Sequence, residues 1–305
     1  MRAWSGPVNP DRQALTLSRL QERIDHLPLL PDVVIALLRL DARKDDYFDK
    51  VVALVHADPA FATRLLRYAN SAAIAPTRPV TTLERALLMV GCEGAVGLVV
   101  AHSAARVFVP RHEWERALWR HAFDVACLTQ TLAPHVTGAA IDSEQAYLFG
   151  LLHDIGRFIL YLEAPEDLRA IDETGWETPK ALIDAERAVC GFTHAELGYL
   201  AMRKWRLPHD LALAVRYHHS PQAAAAEVDA AGLPLVALLQ DTDWISVELA
   251  LRADLWRTLS PAELGDLLKP PKLRTRFSIA QAELTALVRQ ALDRSAEMQN
   301  ALGLG

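Results

Sequence analysis

Apolar side chains recur three and four positions apart along nearly the whole chain, and no stretch alternates apolar and polar residues long enough for a strand. Such a chain can bury its apolar stripes only by packing helix against helix, so the expected class is all-α. Start and stop signals cut the pattern into elements. Asp58-Pro59 supplies a cap and a first-turn proline for a helix over 60–69. Thr81 with Glu84 reads as a capping box whose helix stops at Gly91. Thr178-Pro179 opens a helix that ends near Gly191, and Thr193 with Glu196 caps one running to Trp205. Ser260-Pro261 with Glu263 is a further box. A long apolar helix is expected over 234–252 and, beyond the Pro270-Pro271 break, an amphipathic one over 279–302.

The spacing of these signals suggests a polar tail over 1–19 and a bundle over 20–222 whose helices are joined by short turns. Its first helices form an N-terminal helical subdomain. Residues 223–305 add C-terminal helices packed on the bundle, with the Ala-rich segment 221–232 as a connection. The stripe of Ala282, Leu284, Leu287, Val288, Ala291 and Leu292 is expected to dock on the same chain or on a second copy in a homodimer. Asn70-Ser71 reads as a structural turn into 72–79. The glycines at 94 and 97 allow close helix packing or a loose helix start.

A hydrophobic content of 51% with 23% charged residues excludes a disordered chain. The net charge of -6 gives no basic field, which disfavours nucleic acid as a partner. Cys92, Cys127 and Cys190 are far apart in apolar surroundings and read as reduced core residues. The first ten residues lack the apolar centre of a signal peptide, and the run 94–109 is interrupted by His102 and Arg106, too short for a membrane span. A cytoplasmic location is expected.

The residues that could carry chemistry centre on Gly150-Leu-Leu-His153-Asp154-Ile-Gly156-Arg157, a polar pair inside the apolar run 147–162. Neighbouring helix residues point about 100° apart, so His153 and Asp154 could grip a metal from two directions or bond to each other in a core. His121, His194, His218-His219 and Asp241 lie on other expected helices or their first turns. Imidazole and carboxylate suit Fe, Mn or Zn, and bundles build such sites from inward-facing side chains. The pattern alone leaves both readings open.

Gly150 to Gly156, followed by His194 and His218-His219, resembles the HD superfamily of metal-dependent phosphohydrolases. Leu27-Pro-Leu-Leu-Pro31, the segment from Asp58-Pro59 to Asn70-Ser71, Thr82-Leu-Glu-Arg-Ala86 and Val90-Gly91 are similar to the HDOD domain. The likeness covers roughly 20–220. It implies an all-helical signalling module, related to the HD-GYP cyclic-dinucleotide phosphodiesterases but generally without their activity, that acts by presenting a surface to a signalling or regulatory protein. It also implies a ligand set of His121, His153, Asp154, His194, His218, His219 and Asp241, with Asp243 as competitor for the last place, holding one or two divalent ions. A nucleotide ligand fits the same implication. The alternative is a metal-dependent phosphohydrolase, acting on a nucleotide or cyclic dinucleotide, with water as nucleophile and Arg157 on phosphate, where the hydrolytic relatives carry lysine. The segment after His219 reads Ser220-Pro-Gln-Ala and lacks their Gly-Tyr-Pro, which argues against cyclic-dinucleotide hydrolysis.

Overall fold

The computed structural model describes residues 24, 32–40, 44–56, 59–71, 74–110, 112–230, 232–251, 259–268, 273, 275–302 and 304. The tail over 1–19, the segment 27–31, the Asp58 cap and the Pro270-Pro271 break lie outside the described residues. Among the described residues every extended regular element is a helix, and the sole β feature is an isolated antiparallel bridge between Val136 and Phe277. The all-α expectation is met. The helices form two compact units, one built on His153–Asp229 and the other on Leu30–Leu152 with Ala230–Gly305.

The larger unit contains α1 (Asp32–Leu38), α2 (Tyr47–His56), α3 (Pro59–Ala69), α4 (Leu83–Val90), α5 (Cys92–Val107), α6 (Glu113–Leu132) and α7 (Ser143–Leu152). After the smaller unit, with α8 (Ile155–Glu163), α9 (Pro165–Asp172), α10 (Pro179–Cys190), α11 (His194–Lys204), α12 (His209–Tyr217) and α13 (Pro221–Glu227), the chain returns to it. It then adds α14 (Leu233–Leu251), α15 (Pro261–Leu267) and α16 (Gln281–Leu302).

α6 is the spine of the larger unit. It buries Leu118, Trp119, Ala122, Phe123, Val125, Ala126, Leu128 and Leu132, and packs against α7, α14 and α16. Residues so placed on more than one face mark a helix surrounded by others. The α6–α7 approach depends on Gly150, where a Cβ would lie 2.6 Å from the Ala126 Cα. At Gly97, on α5, a Cβ would fall 2.2 Å from Cε1 of Tyr147 on α7, so this glycine serves close packing and not a loose start. Polar pairs cross the same interior: Ser295 Oγ donates to Asp124 at 2.5 Å, and the Thr129 and Thr242 hydroxyls lie 2.7 Å apart. Burial pushes the Asp124 carboxyl up to about 6 against the lowering effect of Ser295. The stripe of α16 buries Leu284, Val288, Ala291 and Leu292, and the helix packs on α6, α3 and α15 of its own chain.

Asn70 closes α3 as a structural turn: its Nδ2 donates to Leu66 O and Val80 O, and Val80 N donates back to Oδ1 at 2.8 Å. The boxes at Thr193 and Ser260, and the caps Thr178, Gly91 and Gly191, sit where the sequence places them. Three local expectations shift. The cap of α4 is Thr82, not Thr81, because the acceptor must directly precede the first helical residue; extended Thr82 accepts from Arg85 N at 3.3 Å. Residues 221–227 are a helix and not a connection, since Pro221 suits a first turn and the four alanines after Gln222 are strong helix formers. Finally, His153 and Asp154 do not lie inside one helix. They form the break between α7 and α8, where the chain passes from one unit to the other.

In the smaller unit α8 packs on α11, α11 on α12, and α8 and α10 each on α9. The α8–α11 contact is a backbone contact: a Cβ at Gly156 would lie 1.9 Å from the His194 carbonyl oxygen. No rotamer change can relieve a clash with backbone, so Gly156→Ala should destabilise the protein by at least about 2 kcal/mol. A urea midpoint equal to that of the native chain would refute this close approach.

Candidate metal centre

The close approach of α8 to α11 decides what meets at their N-termini. Asp154 is the residue before α8, and His194 is the first residue of α11, held by the Thr193–Glu196 capping box. Gly198, one turn into α11, lets α12 come near, since a Cβ there would lie 2.8 Å from Val215 Cγ1. The C-terminal end of α12 then delivers His218, its capping residue, with His219 next along. All four side chains thus arrive from helix ends.

Three imidazole nitrogens converge on one carboxylate oxygen. Asp154 Oδ1 lies 3.0 Å from His194 Nε2, and 3.6 Å from Nε2 of both His153 and His218. His194 Nε2 and His218 Nε2 are themselves 3.1 Å apart. The His219 ring lies against His218 and His194, with centroids 4.0 and 5.0 Å away. The His153 ring meets His218 edge to face. His153, Asp154, His194 and His218 are buried, while His219 is half-buried. One ligand atom from each of Asp154, His194, His218 and His219 falls within 4.8 Å of all the others. Three imidazoles and a carboxylate crowded this closely need a cation among them, and nitrogen with oxygen donors suits Fe, Mn or Zn. The cluster could hold a metal ion.

Without an ion a proton serves as the cation. Burial disfavours charge on His194, yet the Glu186 and Asp154 carboxylates outweigh it and raise the imidazole from 6.5 to about 10. Burial likewise works against the Asp154 carboxylate, but His153 and His194 hold its pKa well below the usual range. His218 Nδ1 donates to Val215 O at 2.6 Å, which turns Nε2 of that ring towards the cluster.

The structure gathers His153, Asp154, His194, His218 and His219 from the expected set. His121 and Asp241 belong to the larger unit. There His121 Nε2 lies 3.2 Å from Asp243 Oδ1 and its Nδ1 3.0 Å from Ser246 Oγ, so Asp243, not Asp241, is the carboxylate beside this histidine. Asp241 instead accepts the Thr275 backbone N–H at 2.6 Å. Arg157 is buried, bonded to Asp172 at 2.7 Å, with its guanidinium 5.2 Å from the Trp176 ring centroid. It ties α8 to α9 and the turn beyond it.

One residue of the site escaped the sequence reading. Glu186, fully buried on α10, accepts the His194 backbone N–H at 2.9 Å and reaches the same ring's Nδ1 at 2.7 Å. A signal for it existed. Leu182, Glu186 and Cys190 form the buried stripe of α10, and a carboxylate on an apolar stripe must have a partner.

This architecture defines a class: a helical protein whose His-Asp pair opens a helix beside three further imidazoles. Residues 27–221 match the HDOD domain, and the chain belongs to that family. Over 210 residues it is 28% identical to an uncharacterized protein of Treponema pallidum (strain Nichols), covering 68% of this chain but 40% of that relative's length. Among solved structures it is similar to a putative phosphohydrolase from Shewanella amazonensis SB2B, at 22% identity and a TM-score of 0.72, covering 94% of this chain and 99% of the other. It is also similar to a putative signal transduction protein from Marinobacter aquaeolei VT8, at 19% identity and a TM-score of 0.66, covering 98% and 67%. At these identities the likeness establishes the fold alone. Among the described residues no single helix is long and apolar enough to cross a membrane.

The His194 shift carries a pH signature. A folded value of about 10 against an ordinary 6.5 gives stabilisation that is complete below 6.5 and lost as pH rises through 10. For Asp154, held low, the stabilisation is present above 3.8 and is lost on acidification. The stability of metal-free protein, measured as the difference from His194→Gln, should therefore decline between pH 6.5 and 10. A pH-independent difference would contradict the cationic cluster.

Proposed function

We propose that this chain is a non-enzymatic signalling module of the HDOD type that binds a regulatory or signalling protein in the cytoplasm. The cluster around Asp154 is its ligand-sensing centre. The observation that carries the reading is the convergence of Asp154, His194, His218 and His219 on one point. An ion there would be held by Asp154 at the start of α8, His194 at the start of α11 and the histidine pair at the end of α12. Occupancy of one site would thereby set the mutual placement of three helices, which is the kind of change a partner can read.

Two features favour sensing over turnover. The buried guanidinium of Arg157, the candidate phosphate contact, is engaged by Asp172 and Trp176. The segment after His219, where the hydrolytic relatives carry Gly-Tyr-Pro, is instead the Ala-rich helix α13. The second reading, a metal-dependent phosphohydrolase acting on a nucleotide or cyclic dinucleotide, draws on the same donor set, because three imidazoles and a carboxylate also suit hydrolytic metals. In that reading the ion would supply Lewis-acid chemistry, and His219, the half-buried member, would stand at the open side.

Metal analysis of the purified protein, together with Asp154→Ala and His194→Ala, separates the readings. The expected result is one Fe, Mn or Zn per chain, lost in both variants, with no release of nitrophenol from bis(p-nitrophenyl) phosphate. Metal-dependent release that disappears in Asp154→Ala would establish the phosphohydrolase instead. A folded native protein that takes up none of the three metals would end the sensing-centre reading.

A further inference from the structure

We infer that Glu186 is a positioning residue of the metal centre, fixing the His194 ring with its proton on Nδ1 and its Nε2 lone pair on the ion; this rests on the metal-site reading above.

The argument is one of hydrogen-bond direction. The His194 backbone N–H can only donate, and Glu186 Oε2 receives it at 2.9 Å. The ring Nδ1 lies 2.7 and 2.8 Å from the two oxygens of the same carboxylate, which has nothing to donate. The Nδ1 proton must therefore belong to the imidazole, and a neutral ring then has a bare Nε2. That nitrogen lies 3.0 Å from Asp154 Oδ1 and 3.1 Å from His218 Nε2. His218 is set the same way by a weaker acceptor, the Val215 carbonyl. Two bare nitrogens and an anionic oxygen at these separations repel one another unless a cation lies between them.

Apart from His194, Glu186 acts on one further charge, the buried guanidinium of Arg157. Among the described residues its side-chain hydrogen bonds all go to His194, and it is completely buried on the stripe between Leu182 and Cys190. Burying a carboxylate is strongly unfavourable unless it is paired. On a stripe where leucine would pack, a buried carboxylate marks a position with a polar task. A carboxylate behind a ligating imidazole fixes the tautomer and raises the basicity of the ligand nitrogen.

Glu186→Gln is an informative change because the geometry dictates how the amide must lie. Its oxygen is claimed by the His194 backbone N–H, which leaves the NH2 opposite Nδ1. The NH2, in the Oε1 position 2.7 Å from Nδ1, can only donate, which opposes the Nδ1 proton and favours the tautomer whose proton blocks Nε2. Zn(II), a diamagnetic probe, is titrated into the metal-free protein. The expected loss of affinity in Glu186→Gln is about 10–100-fold, with the circular dichroism spectrum unchanged. Glu186→Asp keeps an acceptor-only group and should recover part of that loss. Equal Zn(II) affinity in the native protein and Glu186→Gln would overturn the role of Glu186 while leaving the metal site standing. Failure of the native protein to bind Zn(II) would remove both. Independently of how any variant folds, 15N-histidine spectra of the Zn(II)-loaded native protein should show His194 protonated at Nδ1 and metal-bound at Nε2. The reverse assignment would overturn the proposal.

Discussion

The smaller unit turns on the contact between the backbone of α8 at Gly156 and the carbonyl of His194. With a Cβ position only 1.9 Å from that oxygen, the two helices touch main chain to main chain. Ordinary helix pairs keep their axes 8–10 Å apart with side chains between them; here no side chain intervenes at Gly156, and beside that contact Asp154 Oδ1 lies 3.0 Å from His194 Nε2. The glycine at 198 likewise lets α12 approach, there against the Val215 side chain, and so brings His218 near. A site assembled at helix ends has another consequence. Each ligand is held by the cap or turn of its own element, as His194 is by the Thr193–Glu196 box, and small motions of any of the three helices are felt at one point.

The chemistry of the cluster follows from burial. Three imidazoles beside a carboxylate in water would titrate almost independently. Here burial disfavours both charges, yet His153 and His194 hold Asp154 ionised, while Glu186 and Asp154 hold His194 cationic up to about 10. A divalent ion satisfies the same demand with greater charge, so proton and metal compete for one place. That competition would couple the protonation of the cluster to its occupancy by an ion. The engagement of Arg157 by Asp172 and Trp176 fits the same picture, since the guanidinium holds helices together.

How much of this was legible beforehand differs from element to element. The capping boxes at 193–196 and 260–263, the stop at Gly191 and the all-helical class are local properties, fixed by side chains that satisfy nearby backbone groups. The Thr82 cap was missed by one position because two adjacent threonines offer the same oxygen, and only the backbone turn selects between them. The break at His153-Asp154 was hidden because the run around it stays apolar on both sides, as two helices buried in different units require. Gly150 and Gly156 flank that break, and each serves close packing in its own unit.

The sequence by itself determined the helices, most of their ends, and the residue types able to hold a cation, because capping, periodicity and ligand chemistry act over a few residues. Tertiary structure alone decided which of those residues meet. It grouped Asp154 with His194, His218 and His219, set Asp243 rather than Asp241 beside His121, and occupied Arg157 with Asp172. It also brought in Glu186, which no ligand pattern names. The reason is geometric. Side chains eight and forty residues apart come to 2.7 and 3.0 Å only through helix crossings, and the crossing of α8 with α11 depends on a glycine that lets backbones touch.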